Sequence, residues 1–352
     1  MSDIQKAKDA LDLLIKKSRI HLYKPIQIAE ILFHARKDPN NYNLLSLENY
    51  RNKSKKWRDD ITISLLGTKC TSSARFQDDL FNDNAIPPKI LNILGKENIR
   101  TNGAVEAYIY RSFTNRHEQL ANALNYCLDA KKEKFQVKSF LESFRYEPGL
   151  KRSIDKIYEI VVYALFSTLV STLELKVEVS INTNKKDILV EFSDFAKMVM
   201  SIDTNNLSNT QDARVFRVGV TNAADRGLDM YSNWGPAIQI KHLSLDEDLA
   251  ENIVDSVSSD KIIIVCKDAE QRVIYSLLNQ MGWKSKIQSI VTEQNLIEWY
   301  DKALRGKYSN EIGEILLQCL STELGFEFPS VNEIPDVLKS RKYENITDTF
   351  WK

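Results

Sequence analysis

The 352-residue sequence has few cysteines, no long apolar run and no excess of charge of either sign. No apolar stretch approaches the roughly 18 residues that a membrane-spanning helix needs, so we do not expect a membrane protein. The first residues lack the apolar region of a secretory signal, and we expect none. The four cysteines are widely separated and have neither metal-ligand spacing nor a disulfide framework. Reduced thiols in a cytoplasmic protein are therefore expected.

The absence of net charge and of nucleotide-binding motifs argues against several classes of function. The 48 basic and 48 acidic residues cancel, which argues against coating nucleic acid by bulk electrostatics but allows positive charge to be concentrated in a cleft. The sequence contains no P-loop, no dinucleotide-binding glycine motif and no zinc signature, so nucleotide hydrolysis and dinucleotide chemistry lack support. With 43% apolar residues, the chain can bury a sizeable core.

The hydrophobic periodicity changes character near residue 148. Residues 1–148 have apolar residues at three- and four-residue steps, which predicts a mainly helical region with helices over 3–17 and 26–36. Pro148 and Gly149 mark the boundary. Residues 149–352 are predicted to form an α/β domain with a mixed sheet and a helical C-terminal extension. Its predicted helices are 153–173, 245–257, 268–281 and 293–305, and its predicted strands are 175–181, 215–220, 228–231, 237–242, 261–266 and 287–291.

The stretch from residue 225 to residue 242 contains the residues best suited to chemistry. Asp229 lies near the end of one short predicted strand, and Gln239 and Lys241 lie on the next one, after a turn at 233–236. Residues two apart in a strand point to the same face, so Gln239 and Lys241 project together and the hairpin brings Asp229 opposite them. The carboxylate oxygens of Asp and the amide oxygen of Gln suit Mg²⁺. A neighbouring lysine can orient or deprotonate a metal-bound water, or stabilise charge on a phosphate. His242 faces away from Lys241, which favours packing over catalysis.

This arrangement resembles the PD-(D/E)XK nuclease motif, with Gln239 in place of the usual acid. More narrowly, residues 223–230 (AADRGLDM), 235–243 (GPAIQIKHL) and 23–32 (YKPIQIAEIL) resemble the HaeII-type family of type II restriction endonucleases. The resemblance implies a restriction-endonuclease-like core, Mg²⁺ as cofactor, and catalytic roles for Asp229, Gln239 and Lys241. It also implies cleavage of double-stranded DNA at a site of the form RGCGCY, a homodimer that matches this palindrome, and a companion DNA methyltransferase.

Glutamine at position 239 leaves the site short of a negative charge. Glu159, on the long helix before the sheet, is the best candidate for a further metal ligand beside Asp229 and Gln239, because related families often use a helix-borne Glu. The alternative is that Glu159 lies on a solvent-exposed stripe of that helix. Asp225 is the rival of Asp229; we prefer Asp229 because Leu228 and Met230 frame it as a strand residue.

A dense run of basic residues in the helical region is the candidate DNA contact. It comprises Arg51, Lys53, Lys55, Lys56 and Arg58, with Trp57 as a possible stacking surface. The equally simple interpretation is a solvated helix face. We assign DNA recognition and dimer contacts to region 1–148 as a whole.

Two other functions fit the same fold. One is a repair or recombination nuclease, and the other is a DNA-binding protein whose nuclease site is inactive, which the glutamine at position 239 makes conceivable. Discrete fragments from plasmid DNA distinguish the restriction endonuclease from both of these alternatives.

Overall fold

The computed structural model describes residues 1–67, 79–218, 228–257, 259–269, 286–328, 336–346 and 348–351. The chain forms two compact units. Unit 1 contains residues 1–129, 139–154 and 324–352, and unit 2 contains residues 130–138 and 155–323. The two units exchange segments along the chain, so the C-terminal residues belong with the N-terminal helices. A single boundary at residues 148–149 does not describe this exchange, because residues 324–352 belong to unit 1 and residues 130–138 to unit 2.

The helices and strands follow one another in an order close to the predicted one. The helices are α1 (Asp3–Lys17), α2 (Tyr23–Lys37), α3 (Arg51–Leu66), α4 (Pro88–Arg100), α5 (Ala104–Leu128), α6 (Val137–Tyr146), α7 (Ile154–Thr172), α8 (Lys186–Glu191), α9 (Ser193–Phe195, continued by a π-helical turn at Ala196–Met200), α10 (Glu247–Ser256), α11 (Glu293–Arg305), α12 (Ser309–Glu327) and α13 (Asp336–Ser340). The strands are β1 (Lys176–Ser180), β2 (Ser208–Asp212), β3 (Val215–Arg217), β4 (Met230–Ser232), β5 (Ala237–Leu245), β6 (Ile262–Ala269) and β7 (Ile287–Thr292).

Unit 1 is helical, and α2 lies at its centre. Helix α1 has the predicted bounds, and the Ser2 hydroxyl caps it by accepting a hydrogen bond from the Gln5 amide at 3.3 Å. Helix α2 packs against α1, α3, α4 and α5, so most of its faces are buried. The periodicity of its apolar residues predicted one buried face, because it does not show how many neighbours a helix will have.

A buried ionic network attaches the C-terminal segment of unit 1 to its helices. The Arg341 guanidinium donates to both oxygens of the Glu30 carboxylate, at 2.6 and 3.0 Å. The Tyr343 hydroxyl donates to Glu106 Oε2 at 2.6 Å, and the Tyr110 hydroxyl donates to Glu30. Glu30 and Arg341 are 3% and 10% exposed. Because both charges are desolvated, each depends on the other for its stability.

We expect Arg341→Met to destabilise unit 1 strongly. It removes the guanidinium and leaves the Glu30 carboxylate buried without its counter-ion, a loss that costs roughly 3–5 kcal/mol in comparable sites. The control is Arg100→Met, which breaks the pair with Glu97 at a guanidinium that is 67% exposed, so its loss should be much smaller. Urea unfolding followed by circular dichroism measures both variants. Equal losses would show that the Arg341 pair is not a buried, desolvated one.

Unit 2 contains the predicted mixed sheet. Its strand order is β3-β4-β5-β6-β7; β3, β4 and β5 are antiparallel, whereas β5, β6 and β7 are parallel. Strand β6 lies between β5 and β7, and its apolar first part, residues 262–266, is largely buried, as its sequence predicts. This architecture, with the helical N-terminal region, confirms the predicted fold class and is consistent with a restriction-endonuclease-like core.

Two buried tyrosines fix helix α7, one to strand β6 and the other to helix α11. The Tyr158 hydroxyl, on α7, donates to the Cys266 carbonyl of β6 at 3.0 Å. The Tyr300 hydroxyl, on α11, donates to the Val161 carbonyl of α7 at 2.8 Å. Each bond leaves a phenol ring in the apolar core and pairs its polar end, which makes the position of α7 specific. With α7 held in this way, the buried side chain of Glu159 faces Arg217 of β3.

The structure corrects two expectations in unit 2. The predicted strand at 175–181 exists as β1, but it pairs with β2 in a separate two-stranded sheet. The residues 268–269, assigned to a helix, belong to the end of β6, and most of that predicted helix lies outside the described residues. Within the described parts of the chain, no helix is long and apolar enough to cross a membrane.

Candidate active site

Asp229 and Gln239 face each other across the β4–β5 pair. The antiparallel register pairs Met230 with Ile238, so the residue before Met230 is opposite the residue after Ile238. The Asp229 Oδ2 atom accepts hydrogen bonds from Gln239 Nε2 at 2.5 Å and from the Ile240 amide at 2.7 Å. The predicted juxtaposition of these two side chains is therefore present, and it follows from strand alternation and hairpin register.

Strand β5 separates a polar face from an apolar one at this point. Ile238 and Ile240 are buried on one face, and Gln239 is buried on the other, with only 2% of its surface exposed. Lys241 is half-buried on the same face as Gln239. The parallel register continues to Lys241 and then shifts before Ser244. Lys241 is thus the last residue of the regular part of β5 on the polar face.

Burial makes Asp229 an unusual carboxylate. Desolvation raises its pKa above the ordinary value, and the Ile240 amide hydrogen bond and the positive charges of Lys241 and Lys156 partly offset that rise. A buried carboxylate that is short of positive charge gains from any cation placed beside it. A bound metal ion would supply the positive charge that this buried carboxylate lacks.

Glu159 belongs to the same electrostatic group. It is 5% exposed, so the alternative that it lies on a solvent-exposed stripe of its helix is wrong. Its Oε2 atom accepts from Lys156 Nζ at 2.6 Å, and its Oε1 atom lies 3.5 Å from Arg217 Nη1. Burial raises its pKa, the charges of Lys156 and Arg217 oppose that rise, and the negative charge of Asp229 adds to it. The charge of Asp229 therefore acts on the Glu159 carboxylate.

Two buried oxygens of this group have no hydrogen-bond partner among the described residues: Gln239 Oε1 and Glu159 Oε1. Buried polar atoms are almost always satisfied, so exceptions need an explanation. A divalent cation held by Asp229, Gln239 and Glu159 would satisfy both. In the described part of the chain, no three His, Cys, Asp or Glu side chains form a metal-binding group; this cluster has two carboxylates and an amide. The residues thus fit a hard cation that keeps several waters.

Lys156 and Arg217 are site residues that the sequence analysis missed. Lys156 precedes Glu159 by three residues on α7, so helix spacing alone could have paired them. Arg217, at the end of β3, also pairs with Glu323 of α12 at 3.0 Å. Nothing in the local sequence connects β3 with α12, because that contact arises only from tertiary packing.

The structure describes the surroundings of His242 but not those of Asp225. His242 is half-buried and its Nδ1 pairs with the Asp155 carboxylate at the start of α7, a contact that supports a packing role. The rival Asp225 lies outside the described residues, so the preference for Asp229 rests on the geometry of Asp229 itself.

The basic run on α3 is less uniform than its sequence suggests. Lys53 and Lys56 are exposed, and Arg51 and Lys55 are half-buried. Arg58 is buried and paired with Asp59 at 2.6 Å, and it also donates to the buried Gln27 at 3.2 Å. The structure therefore corrects the assignment of Arg58 to DNA contact, because its guanidinium faces the interior of unit 1. The other four basic residues stay predictions.

Trp57 on α3 is packed against two aromatic side chains. One face of its ring stacks on His34 with 3.9 Å between ring centroids, and Tyr42 lies in a T-shaped arrangement at 5.5 Å. Its role as a stacking surface stays a prediction.

Comparison with known proteins identifies the family and the class of enzyme. The family model for the HaeII restriction endonuclease matches residues 7–343. The type II restriction enzyme HaeII of Haemophilus aegyptius is 56% identical over 350 residues, which cover 99% of each chain. The type II restriction enzyme NgoBI of Neisseria gonorrhoeae is 56% identical over 336 residues, covering 95% of this chain and 94% of that enzyme. No solved structure matches the chain significantly.

Two acids, an amide and a lysine are residue types that a nuclease site can use, and the matches identify the class of enzyme. The chain belongs to the HaeII restriction endonuclease family. The predicted resemblance and the predicted enzyme class, a type II site-specific deoxyribonuclease, are confirmed.

Proposed function

We propose that this enzyme cleaves both strands of DNA at a short palindromic site, of the form RGCGCY by family resemblance, and that it requires Mg²⁺. The observation that carries the proposal is the group of Asp229, Gln239 and Glu159, in which two buried oxygens accept no hydrogen bond from the described residues and both carboxylates have raised pKa values. The 56% identity to two type II restriction enzymes supports this function over repair or over an inactive fold.

Each residue has a distinct task in this proposal. Asp229, Gln239 and Glu159 would hold the cation. When bound there, Mg²⁺ would supply positive charge beside the phosphate and would lower the pKa of a water. The Lys241 ammonium orients the attacking water and stabilises the negative charge that grows on the phosphate as the P–O bond breaks.

Lys156 and Arg217 position Glu159 in this proposal. Their contacts at 2.6 and 3.5 Å orient its carboxylate, and their positive charges oppose the rise in its pKa that burial causes. Arg217 is itself held by Glu323, so the orientation of Glu159 is coupled to α12. Neither cation needs to touch DNA for this role.

The partners follow from the proposed palindrome. One acid–lysine group per chain and two strands to cut call for a two-fold symmetric homodimer. A companion methyltransferase that modifies the same site would protect the host DNA. We place the enzyme in the cytoplasm, where thiols stay reduced; Cys127, Cys266 and Cys319 are free in the described structure.

A single digestion experiment tests the proposed function. We expect plasmid DNA to be cut into discrete fragments whose ends map to RGCGCY, with Mg²⁺ and not with EDTA. Methylation of that sequence should block the cut. Cleavage confined to branched DNA would support a repair nuclease, and sequence-specific binding without cleavage in Mg²⁺ or Mn²⁺ would support the inactive alternative.

A further inference from the structure

The segment between α7 and β3 carries an unusual amount of exposed apolar surface. We call residues 173–212 the apolar arm; it contains β1, α8, α9 and β2. Its own core is small and consists of Leu189, Ala196 and Ile202, with Ile181 and Leu207 packed against it. The large apolar side chains that are 40–84% exposed in this arm are Leu173, Leu175, Val179, Ile188, Val190, Phe192, Phe195, Met198, Val199 and Met200.

The amount of this surface matches one side of a protein–protein interface. At roughly 100 Å² of exposed area for each of these side chains, the apolar arm offers about 1,000 Å², against about 800 Å² per partner in a standard interface. Ile188, Phe192, Phe195 and Met200 line a single groove of about 450 Å³, so part of this surface is contiguous.

The charge of the apolar arm excludes DNA as its partner. It contains four Lys, no Arg and seven Asp or Glu, and this acidic excess repels a phosphate backbone. Charges of both signs flank the apolar residues: Lys185 precedes α8, Lys186 begins it, and Glu191 and Asp194 flank Phe192. A two-fold axis places such a surface against itself, which allows lysines of one copy to pair with carboxylates of the other.

The apolar arm is held to the hairpin that carries Asp229 and Gln239. The Ala213 amide donates to the Leu175 carbonyl at 2.8 Å, which closes the base of the arm. In the turn between β4 and β5, the Asn233 side chain donates to the Asp212 carbonyl and accepts from the Arg214 amide, both at 2.8 Å. The arm therefore has a fixed position relative to the candidate active site.

We propose that the apolar arm, in place of the region 1–148 to which we assigned dimer contacts, is the surface through which two copies of this chain associate. The proposal rests on the proposed dimeric, double-strand nuclease, and it specifies the surface that joins the copies. Because α7 leads into the arm and β3 follows it, association through the arm sets the distance between the two active sites, and hence the offset between the two cuts.

The test removes the apolar contact at two exposed positions. In the double variant Phe195→Asp with Met198→Asp, both changes lie on side chains that are more than half exposed, so folding should be retained. The control is Ile315→Asp, at a similarly exposed position of α12. Light scattering should give twice the 40.5 kDa chain mass for the wild type and the control. The double variant should be monomeric, with a dimer dissociation constant raised at least about 100-fold.

A second measurement uses the wild type alone, in case the double variant does not fold. Amides of α8, α9 and the π-helical turn should exchange hydrogen more slowly at micromolar than at nanomolar protein concentration. Exchange that is independent of concentration, a double variant that dimerises like the wild type, or a monomeric wild type would each overturn the proposal. DNA cleavage is scored separately: a chain that dimerises through the arm but cuts no DNA contradicts the proposed function and supports this interface.

Discussion

Lys241→Ala is expected to abolish DNA cleavage while leaving sequence-specific binding nearly unchanged. The ammonium lies at the end of the regular part of β5, on the same face as Gln239, and its charge acts on the buried Asp229 carboxylate. Loss of a preorganised positive group beside a developing negative charge costs roughly 10²–10³-fold in rate. An additional loss follows if the same group also orients the attacking water.

The comparison that isolates this effect uses a second lysine on the neighbouring strand. Lys267 follows Cys266, the residue that pairs with Lys241 in the β5–β6 ladder, and its side chain is exposed. Lys267→Ala removes the same charge and should cut at the wild-type rate. Single-turnover cleavage in Mg²⁺ and binding in Ca²⁺ separate chemistry from affinity. Normal cutting by Lys241→Ala would remove this residue from the mechanism, and equal losses in both variants would indicate a nonspecific charge effect.

The position of the candidate site was predictable because it depends on short-range geometry. Alternation along β5 puts Gln239 and Lys241 on one face, and a hairpin of fixed length puts Asp229 opposite Gln239. Neither inference needs knowledge of the rest of the fold. The surroundings of Glu159 were not predictable in this way, since Arg217 reaches it from a strand more than fifty residues away along the chain.

The errors have a physical cause as well. Strand alternation identified β1, but it does not specify a partner, and β1 pairs with β2 outside the main sheet. Arg58 was grouped with its basic neighbours by sequence proximity, although helix periodicity places it with the buried Ser54, Ile61, Thr62 and Leu65. This periodicity was visible in the sequence, and it is better evidence for burial than the local density of basic residues is for exposure.

Replacing Gln239 tests the unusual feature of this site. Gln239→Leu removes an oxygen that is buried and without a partner, and also the amide that donates to Asp229 at 2.5 Å. We expect Mg²⁺ affinity to fall about 10–100-fold, the range typical of perturbed metal sites, and cleavage to fall with it. The matched control is Gln288→Leu, an exposed strand glutamine on β7, which should change neither. Cleavage by Gln239→Leu with an unchanged Mg²⁺ requirement would show that Asp229 and Glu159 hold the metal without this residue.

Gln239→Glu separates the oxygen from the charge. The new carboxylate keeps an oxygen at the same reach, but it replaces a hydrogen-bond donor to Asp229 with a second acid, and two carboxylates this close raise the pKa of one of them. Metal binding must then displace a proton, so we expect Mg²⁺ affinity equal to or above that of the wild type at pH 8 and a steeper loss toward pH 6. The maximal cleavage rate should fall, because the added negative charge repels the scissile phosphate. Calorimetric titration with Mg²⁺ at both pH values measures the first effect, and cleavage at saturating Mg²⁺ measures the second. A pH dependence of metal affinity identical to that of the wild type would place the side chain of residue 239 outside the metal site.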